Sequence, residues 1–212
     1  MKIKNTKVYG LEESIVRSGY PMQVGEPEDL YSNNSYFLKE LKTLDLYGHV
    51  SRAKKLGKVK SGIGHDNYLK GIIVQFDLQY PEYFSPQLQR YSWVDIISSQ
   101  SKMHKITSRP LTQEDFTERV WSTIIKELNS CIEWYNSAIP AIERRYYFDE
   151  IISNLPCGYL KWMGISTNYL QLKTIYWQRK NHKLSEWQYF CNWIEELPRF
   201  KELVLNIKEN EL

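Results

Sequence analysis

The sequence predicts an α+β fold, a helix-rich single domain with a small sheet over residues 1–212. Two observations indicate this class. Apolar residues recur at helical spacing over much of the chain, whereas short runs rich in β-branched residues are few. The chain also lacks an internal repeat, a low-complexity tract or a linker, and its length of 212 residues suits one large domain with a substantial core.

The first part of the chain combines a strand, loops and a helix. Residues 1–10 predict a short strand around Val8, and the prolines and glycine over 21–27 predict an irregular loop. Apolar residues at helical spacing predict a helix or a helix pair over 29–47. The basic run over 52–60 has two interpretations, a solvated loop or an anion-attracting loop beside a phosphate site.

The middle of the chain begins with an apolar, β-branched-rich run over 72–78. This run suits a buried strand or one side of a buried helix, and periodicity alone does not separate the two. A helix-like pattern follows over 87–97. Thr112 and Asp115 have the spacing of a capping pair, and the apolar stripe after them predicts a helix of roughly six turns that ends before Pro140.

The last part of the chain is predicted to be mainly helical. Residues 141–152 predict one helix. An irregular or extended piece then leads to Thr167, the expected N-cap of the next helix. Ser185 and Gln188 match the spacing of a capping box, so the last helix is expected over 186–197, where the following proline stops it.

Composition limits the classes of function. A net charge of +3 does not favour general nucleic-acid binding, although a local anion site remains compatible with it. Cys131, Cys157 and Cys191 lie far apart without metal-ligand spacing, which disfavours both a zinc site and a disulfide framework. Without a signal segment or an apolar run of ~20 residues, the chain is expected in the cytoplasm and away from membranes. Its 16 tyrosines and 7 tryptophans suit ring-stacking sites and interfaces as well as cores.

Several short segments carry the functional signal. They are a Gly-His pair at 64–65, Gln-Leu-Gln-Arg-Tyr at 87–91 and Gln-Ser-Lys-Met-His at 100–104, followed by Asn168 with Arg179 eleven positions later. In order and in most spacings, these segments resemble the motifs of the flavin-dependent thymidylate synthases. The resemblance covers about 64–197, roughly two thirds of the chain, and it depends on the colinearity of the segments. It implies the fold of that family.

The sequence departs from the family pattern at several reactive positions. Ser92 stands where the family has the second Arg of its Arg-His-Arg run, and Leu170 stands where it has an Arg two residues after the late Asn. The family's motif Ser falls on Gln100, or on Ser101 after a one-residue insertion, and its flavin-contacting His falls near Gly71. Most of these changes remove a cation or a donor that would bind phosphate or flavin.

The resemblance implies roles for four residues at the nucleotide. Arg179 would bind the pyrimidine and polarise it as the catalytic residue; its alternative is a surface residue whose stem packs on neighbouring rings. Arg90 would contact a phosphate or the flavin, and its alternative is a plain ion pair. Gln100 or Ser101, depending on the register, would bind the nucleotide phosphate through small polar groups.

The resemblance also implies a flavin cofactor, FAD. His65 and Asn168, together with Arg90, match positions near the cofactor. The plain alternatives are a structural histidine for His65 and a helix-capping residue for Asn168. No His, Asp or Glu spacing suggests a metal.

Three functions remain open at this stage. The resemblance implies an enzyme that binds a pyrimidine nucleotide with FAD and transfers a methyl or other one-carbon unit, or a hydride. The first alternative is a non-catalytic protein, of phage or mobile-element origin, that binds or sequesters a nucleotide or a nucleotide-derived signal. The second is a protein-interaction subunit with a vestigial pocket. The family further implies a homotetramer whose sites are built from several subunits.

Overall fold

The computed structural model of the chain describes residues 1–27, 29–30, 48–60, 62–138 and 140–205. Its four strands are β1 (Lys2–Tyr9), β2 (Ile73–Pro81), β3 (Asp95–Ser99) and β4 (Leu160–Asn168). They form one antiparallel sheet in the order β1-β2-β4-β3. The described ranges also contain nine α-helices, which are α1 (Leu11–Arg17), α2 (His49–Gly57), α3 (Ser85–Leu88), α4 (Lys102–Lys105), α5 (Ser122–Ser137), α6 (Ala141–Asn154), α7 (Tyr169–Arg179), α8 (Ser185–Glu196) and α9 (Phe200–Val204). The predicted α+β class, helix-rich with a small sheet, is confirmed.

The residues group into two compact units. Unit 1 consists of Met1–Lys4, Asp77–Ser92 and Ile96–Ile165, and unit 2 consists of Asn5–Phe76, Trp93–Asp95 and Ser166–Leu212. Each unit has a core of its own. The expectation that residues 1–212 fold as a single domain stays a prediction, for which a single cooperative unfolding transition is the measurement.

The core of unit 1 lies between α5 and α6, which pack against each other. Ile125, Leu128 and Ile132 recur three and four positions apart on α5, so they share one face and are buried together. Ile151 of α6 and Phe116 belong to the same cluster. This apolar stripe explains why the sequence folds locally as a long helix.

Unit 1 also contains a carboxylate held by two lysines. Glu82 accepts a hydrogen bond from Lys102 Nζ at 2.9 Å, and Lys161 Nζ lies 3.0 Å from its other oxygen. Burial alone would raise the pKa of Glu82, but the hydrogen bonds and charges of the two lysines lower it below its ordinary value. The group is therefore ionised at neutral pH.

The core of unit 2 is aromatic. Trp187 and Phe190 are buried on one face of α8, and the ring centroid of Phe190 lies 6.0 Å from that of Phe76 on β2. Tyr169 and Leu172, three positions apart, form the buried face of α7, which packs against α8. These contacts hold the first turn of α7 within unit 2.

Several sequence predictions are confirmed. The strand expected over 1–10 is β1, and the run over 72–78 belongs to a strand, β2, rather than to a buried helix. The helices expected over 141–152 and 186–197 are α6 and α8. The helix expected over 29–47 falls outside the described residues, apart from 29–30.

The basic run over 52–60 was wrongly interpreted as a loop. Most of it belongs to α2, because Val50, Ala53 and Gly57 recur at helical spacing and are buried. Two of its cations also make contacts with residues distant in the chain. Arg52 Nε donates to Ser18 Oγ at 3.2 Å, while Lys54 pairs with a glutamate of α9 at 2.7 Å.

Two further helix predictions are wrong in extent. The segment over 87–97 contains only the end of α3 before it extends into β3, where β-branched residues suit the sheet edge. The capping pair Thr112 and Asp115 is confirmed, but it caps a short 3₁₀ turn, and α5 begins only at Ser122. Similarly, the capping box expected at the start of α8 does not form.

Within the described residues, none of the helices combines the length and the apolar character that crossing a bilayer requires.

Candidate functional site

A cavity of about 340 Å³ lies in unit 2, where β4 ends and α7 begins. The turn before β2 and the segment that starts β3 supply the other walls. The lining residues are Lys70, Ile73, Trp93, Asp95, Ser166, Thr167, Asn168, Leu170, Gln171 and Thr174. A volume of this size is at the lower end for small-molecule sites, and it suits one ring system rather than a whole dinucleotide.

The junction between β4 and α7 is fixed by side-chain hydrogen bonds. Asn168 has extended backbone angles, and its Oδ1 accepts a hydrogen bond from the backbone N–H of Gln171 at 2.9 Å. Asn168 is therefore the N-cap of α7, which is the role that the sequence offered as the alternative to flavin contact. The expectation that Thr167 caps this helix is wrong, because its hydroxyl instead donates to the carbonyl oxygen of Trp93 at 2.7 Å.

The cavity wall combines charged, aromatic and aliphatic groups. Lys70 and Asp95 are exposed and of opposite sign, while Trp93, Ile73 and Leu170 supply apolar surface. An ammonium group binds phosphate or another anion, a carboxylate accepts from sugar hydroxyls, and an indole face stacks on planar rings. The arrangement suits a ligand that joins a planar ring to an anionic group.

A buried ion pair holds α7 against α2 and against the turn that precedes β2. Lys173 Nζ donates to Asp66 Oδ2 at 2.7 Å and to the carbonyl oxygens of Gly57 at 2.8 Å and Val59 at 2.6 Å. Both side chains of the pair are almost fully buried. All three ammonium protons are thus used, and the pair fixes the segment that leads to Lys70.

The neighbouring Tyr68 strengthens this attachment. Its hydroxyl donates to the carbonyl oxygen of Ala53 on α2 at 2.8 Å. Burial, and then the charge of Asp66, raises the pKa of Tyr68, so the hydroxyl stays protonated and keeps donating.

Three of the predicted site residues belong to unit 2, and one of them lines the cavity. Asn168 does so, and it is buried. His65 is exposed in the turn after Gly64 and is not part of the lining. Arg179 ends α7, outside the cavity lining, and its guanidinium carbon lies 4.8 Å from the ring centroid of Trp187. This position matches the alternative in which an arginine packs on rings, and the catalytic role stays a prediction.

The other predicted site residues belong to unit 1. Arg90 is exposed just after α3. The backbone N–H of Gln100 donates to the carbonyl oxygen of Trp162 at 2.9 Å, and its Oε1 accepts from the N–H of Trp162 at 3.1 Å. Ser101 is exposed at the start of α4, and its side chain does not cap that helix. The phosphate-binding roles of these residues stay predictions.

Of the ten lining residues, the sequence assigned only Asn168 to the site, and the missed residues include Lys70, Trp93, Asp95 and Gln171. Lys70 directly precedes Gly71, the position near which the family's flavin-contacting His falls, and this adjacency was an available signal. Gln171 stands three residues after Asn168, at the spacing of a capping partner. Trp93 and Asp95 gave no such signal, because the local pattern around them suggested a helix.

Metal ligands do not converge in the described ranges, since they contain no group of three His, Cys, Asp or Glu side chains placed to hold an ion.

The comparisons with known proteins identify a shared fold and nothing further. No family model and no curated protein matches the sequence. Among solved structures, the chain is similar to the flavin-dependent thymidylate synthase ThyX from Helicobacter pylori in complex with FAD and dUMP. The TM-score is 0.67 at 14% identity, with 97% of this chain and 98% of that chain covered. The chain shares the ThyX fold. A second structure of the Helicobacter pylori ThyX with FAD and dUMP gives a TM-score of 0.59 at 15% identity, covering 97% of each chain.

Proposed function

We propose that this chain binds a pyrimidine nucleotide together with FAD and transfers a one-carbon unit or a hydride. The observation that carries the proposal is the unit 2 cavity at the β4–α7 junction. There an indole face, a lysine and the amides of Asn168 and Gln171 line one hollow. The ThyX-like fold supports the same ligands, because the similar ThyX structures contain FAD and dUMP.

The cavity suits the ring end of a flavin in both size and chemistry. Trp93 offers a face for stacking, Asn168 offers an amide donor, and Lys70 offers a cation for a negatively charged group. Bound FAD would supply the hydride chemistry. The residues of the chain would bind and orient the rings and exclude water from the face that reacts.

Other residues complete the proposal. Arg179 would polarise the pyrimidine, and its contact with the Trp187 ring would restrict the guanidinium to a few orientations. Arg90 and either Gln100 or Ser101 would bind phosphate, and His65 would contact the cofactor. We also propose a homotetramer, for which light scattering of the purified protein is the measurement.

One observation favours the non-catalytic alternative, in which the protein binds a nucleotide without turning it over. Leu170 lines the cavity at the position where the family has an arginine. A charge-assisted hydrogen bond contributes ~1.5–3 kcal/mol, so losing this arginine weakens phosphate binding unless Lys70 compensates. The Lys70→Met variant measures that compensation directly.

The test measures binding and turnover separately. Purified protein is titrated with FAD and with dUMP by calorimetry, and NADPH oxidation is followed in their presence. We expect Lys70→Met to weaken the binding of phosphate-bearing ligands about tenfold or more. Lys55→Met, on the exposed side of α2, is the matched control. Binding with turnover supports the enzyme, and binding with ligand recovered intact supports the alternative. If neither ligand binds, the proposal fails.

A further inference from the structure

A second cavity lies along α5 in unit 1, and the proposed function does not use it. Its volume is about 580 Å³, which falls within the range of ~300–1,000 Å³ typical of small-molecule sites. All of its lining residues belong to unit 1. Six of the eight are polar or charged, namely Lys126, Asn129, Ser130, Glu133, Asn136 and Ser137. This cavity, the α5 groove, is therefore suited to a polar ligand.

Two asparagines of α5 hold the segment that runs beside the groove. Asn129 Oδ1 accepts a hydrogen bond from the backbone N–H of Leu111 at 2.6 Å, and Asn129 Nδ2 donates to the carbonyl oxygen of Leu111 at 2.8 Å. Asn136 Nδ2 donates to the carbonyl oxygen of Thr107 at 3.1 Å. The segment over 107–111 is thus fixed along the helix, and the groove is preformed. Since an amide also has an acceptor oxygen, Asn136 retains an acceptor after this bond.

The charges of the α5 groove balance. Lys126 and Glu133 are both exposed, and they stand seven positions apart on one face of α5. One ammonium group and one carboxylate give the groove no net charge, so it does not select an anion such as a phosphate. The hydroxyl groups of Ser130 and Ser137 add further donors and acceptors to the lining. The matching ligand is neutral and carries groups that both donate and accept, as hydroxyl groups do.

Trp134 supplies an apolar face at the margin of the groove. It follows Ser130 by four positions and precedes Ser137 by three, so it is their neighbour on the helix surface. Trp134 is 51% exposed, and its ring centroid lies 5.5 Å from that of Tyr147 on α6, a contact that restricts the indole. A flat indole can cover the C–H face of a saccharide ring, while the hydroxyl groups at the ring edge reach polar side chains.

We propose that the α5 groove binds a neutral saccharide. Glu133 accepts from two adjacent hydroxyl groups through its two oxygens, Lys126 donates to another hydroxyl oxygen, and Trp134 packs on the C–H face of a ring. At 1.5 Å per residue, Lys126 and Glu133 are ~10.5 Å apart along the helix axis, so two linked sugar rings span them. A peptide fits less well, because the lining includes neither a sheet edge nor an apolar pocket for an anchor side chain.

Saturation-transfer NMR on the full chain tests binding. The ligands are four neutral disaccharides, maltose, cellobiose, lactose and mannobiose, with cellobiouronate as the anionic counterpart of cellobiose. We expect saturation transfer to at least one neutral disaccharide at millimolar concentration, and calorimetry then gives its Kd. If none of the four neutral ligands receives saturation, or if only the anion does, the proposal is refuted.

Variants assign the binding to the groove. Glu133→Gln keeps the size of the side chain and turns a charge-assisted hydrogen bond into a neutral one, so it should weaken the bound disaccharide about tenfold. Glu127→Gln, at an exposed position of α5 outside the lining, is the matched control and should bind like the native protein. Trp134→Ala should weaken binding about fivefold or more, with the exposed Trp121→Ala as its control.

The outcomes are independent of the proposed function. The four substitutions lie at exposed positions, and thermal unfolding followed by circular dichroism shows whether each variant retains the fold. If Glu133→Gln and Trp134→Ala bind the disaccharide as tightly as the native protein, the saccharide binds elsewhere and the inference is refuted. An equal loss in Glu127→Gln and Glu133→Gln contradicts it as well. Binding of FAD and dUMP is measured separately, so the proposed function stands or fails by its own titrations.

Discussion

Lys173→Met is the most informative perturbation of unit 2. It removes the ammonium group that donates to Asp66 and to the carbonyl oxygens of Gly57 and Val59. Met keeps most of the hydrocarbon volume, so the loss is electrostatic rather than steric. The carboxylate of Asp66, 2% exposed, is left without its cation.

The expected loss of stability is large. Removing one partner of a buried ion pair costs ~3–5 kcal/mol, because an uncompensated charge remains inside. Whole domains have unfolding free energies of only ~5–15 kcal/mol. With ~2–4 °C of Tm per kcal/mol for chains of this length, Lys173→Met should lower Tm by ~6–20 °C. Adding Asp66→Asn removes the buried charge and should recover at least ~1 kcal/mol.

Urea unfolding followed by circular dichroism at neutral pH measures these differences. Lys201→Met is the matched control, since Lys201 is 41% exposed and pairs with Glu195 at 3.2 Å in the same unit. An exposed pair of this kind contributes at most ~1 kcal/mol. If Lys173→Met loses no more stability than Lys201→Met, the buried pair does not hold unit 2 together.

Three other predictions concern pH, packing and thiol reactivity. The pKa of Glu82 in the folded protein is below its ordinary 4.5. The ionised carboxylate therefore stabilises the fold above pH 4.5, and this contribution is lost as the pH falls through the folded pKa. Glu82→Gln should therefore lose less unfolding free energy on acidification than the native protein, and an equal loss contradicts this. Gly57→Ala places a methyl group against the carbonyl oxygen of Leu203, so we expect the free energy of unfolding to fall by ~1–3 kcal/mol. An unchanged midpoint in urea unfolding would contradict this prediction. Cys157 is exposed and should be the first cysteine that a thiol reagent labels. Burial raises the pKa of Cys191 to about 11, so peptide mapping should find Cys191 modified only after unfolding.

Local sequence patterns predicted the helix at 141–154, whose packing partner α5 lies just before it in the chain. For the run at 72–78 they left a strand and a buried helix open, because β2 is defined by its pairing with β1 and β4, which are distant in sequence. The helical structure of the basic run was not predicted, because Arg52 and Lys54 contact Ser18 and α9, which are far away in the chain. Strand β3 was missed for the same reason, since it pairs with β4, more than 60 residues later.

The sequence predicted a residue of the candidate site only where that residue belongs to a family motif. Asn168 stood out both by resemblance and as a potential cap, and the structure places it in the cavity wall. Lys70, Trp93 and Gln171 reach the same cavity through the pairing of strands and the packing of α7, which depend on long-range contacts. No spacing in the sequence encodes that convergence.

The direct passage from β4 into α7 has a consequence for the cavity wall. Asn168 is both the last residue of the strand and the cap of the helix, so no connecting segment lies between them. Inserting or deleting a residue there would rotate the whole helix by about 100° and turn Gln171 out of the wall. A change in length at this joint would therefore displace the lining residues of α7, whereas a side-chain replacement would alter the cavity wall without moving the helix.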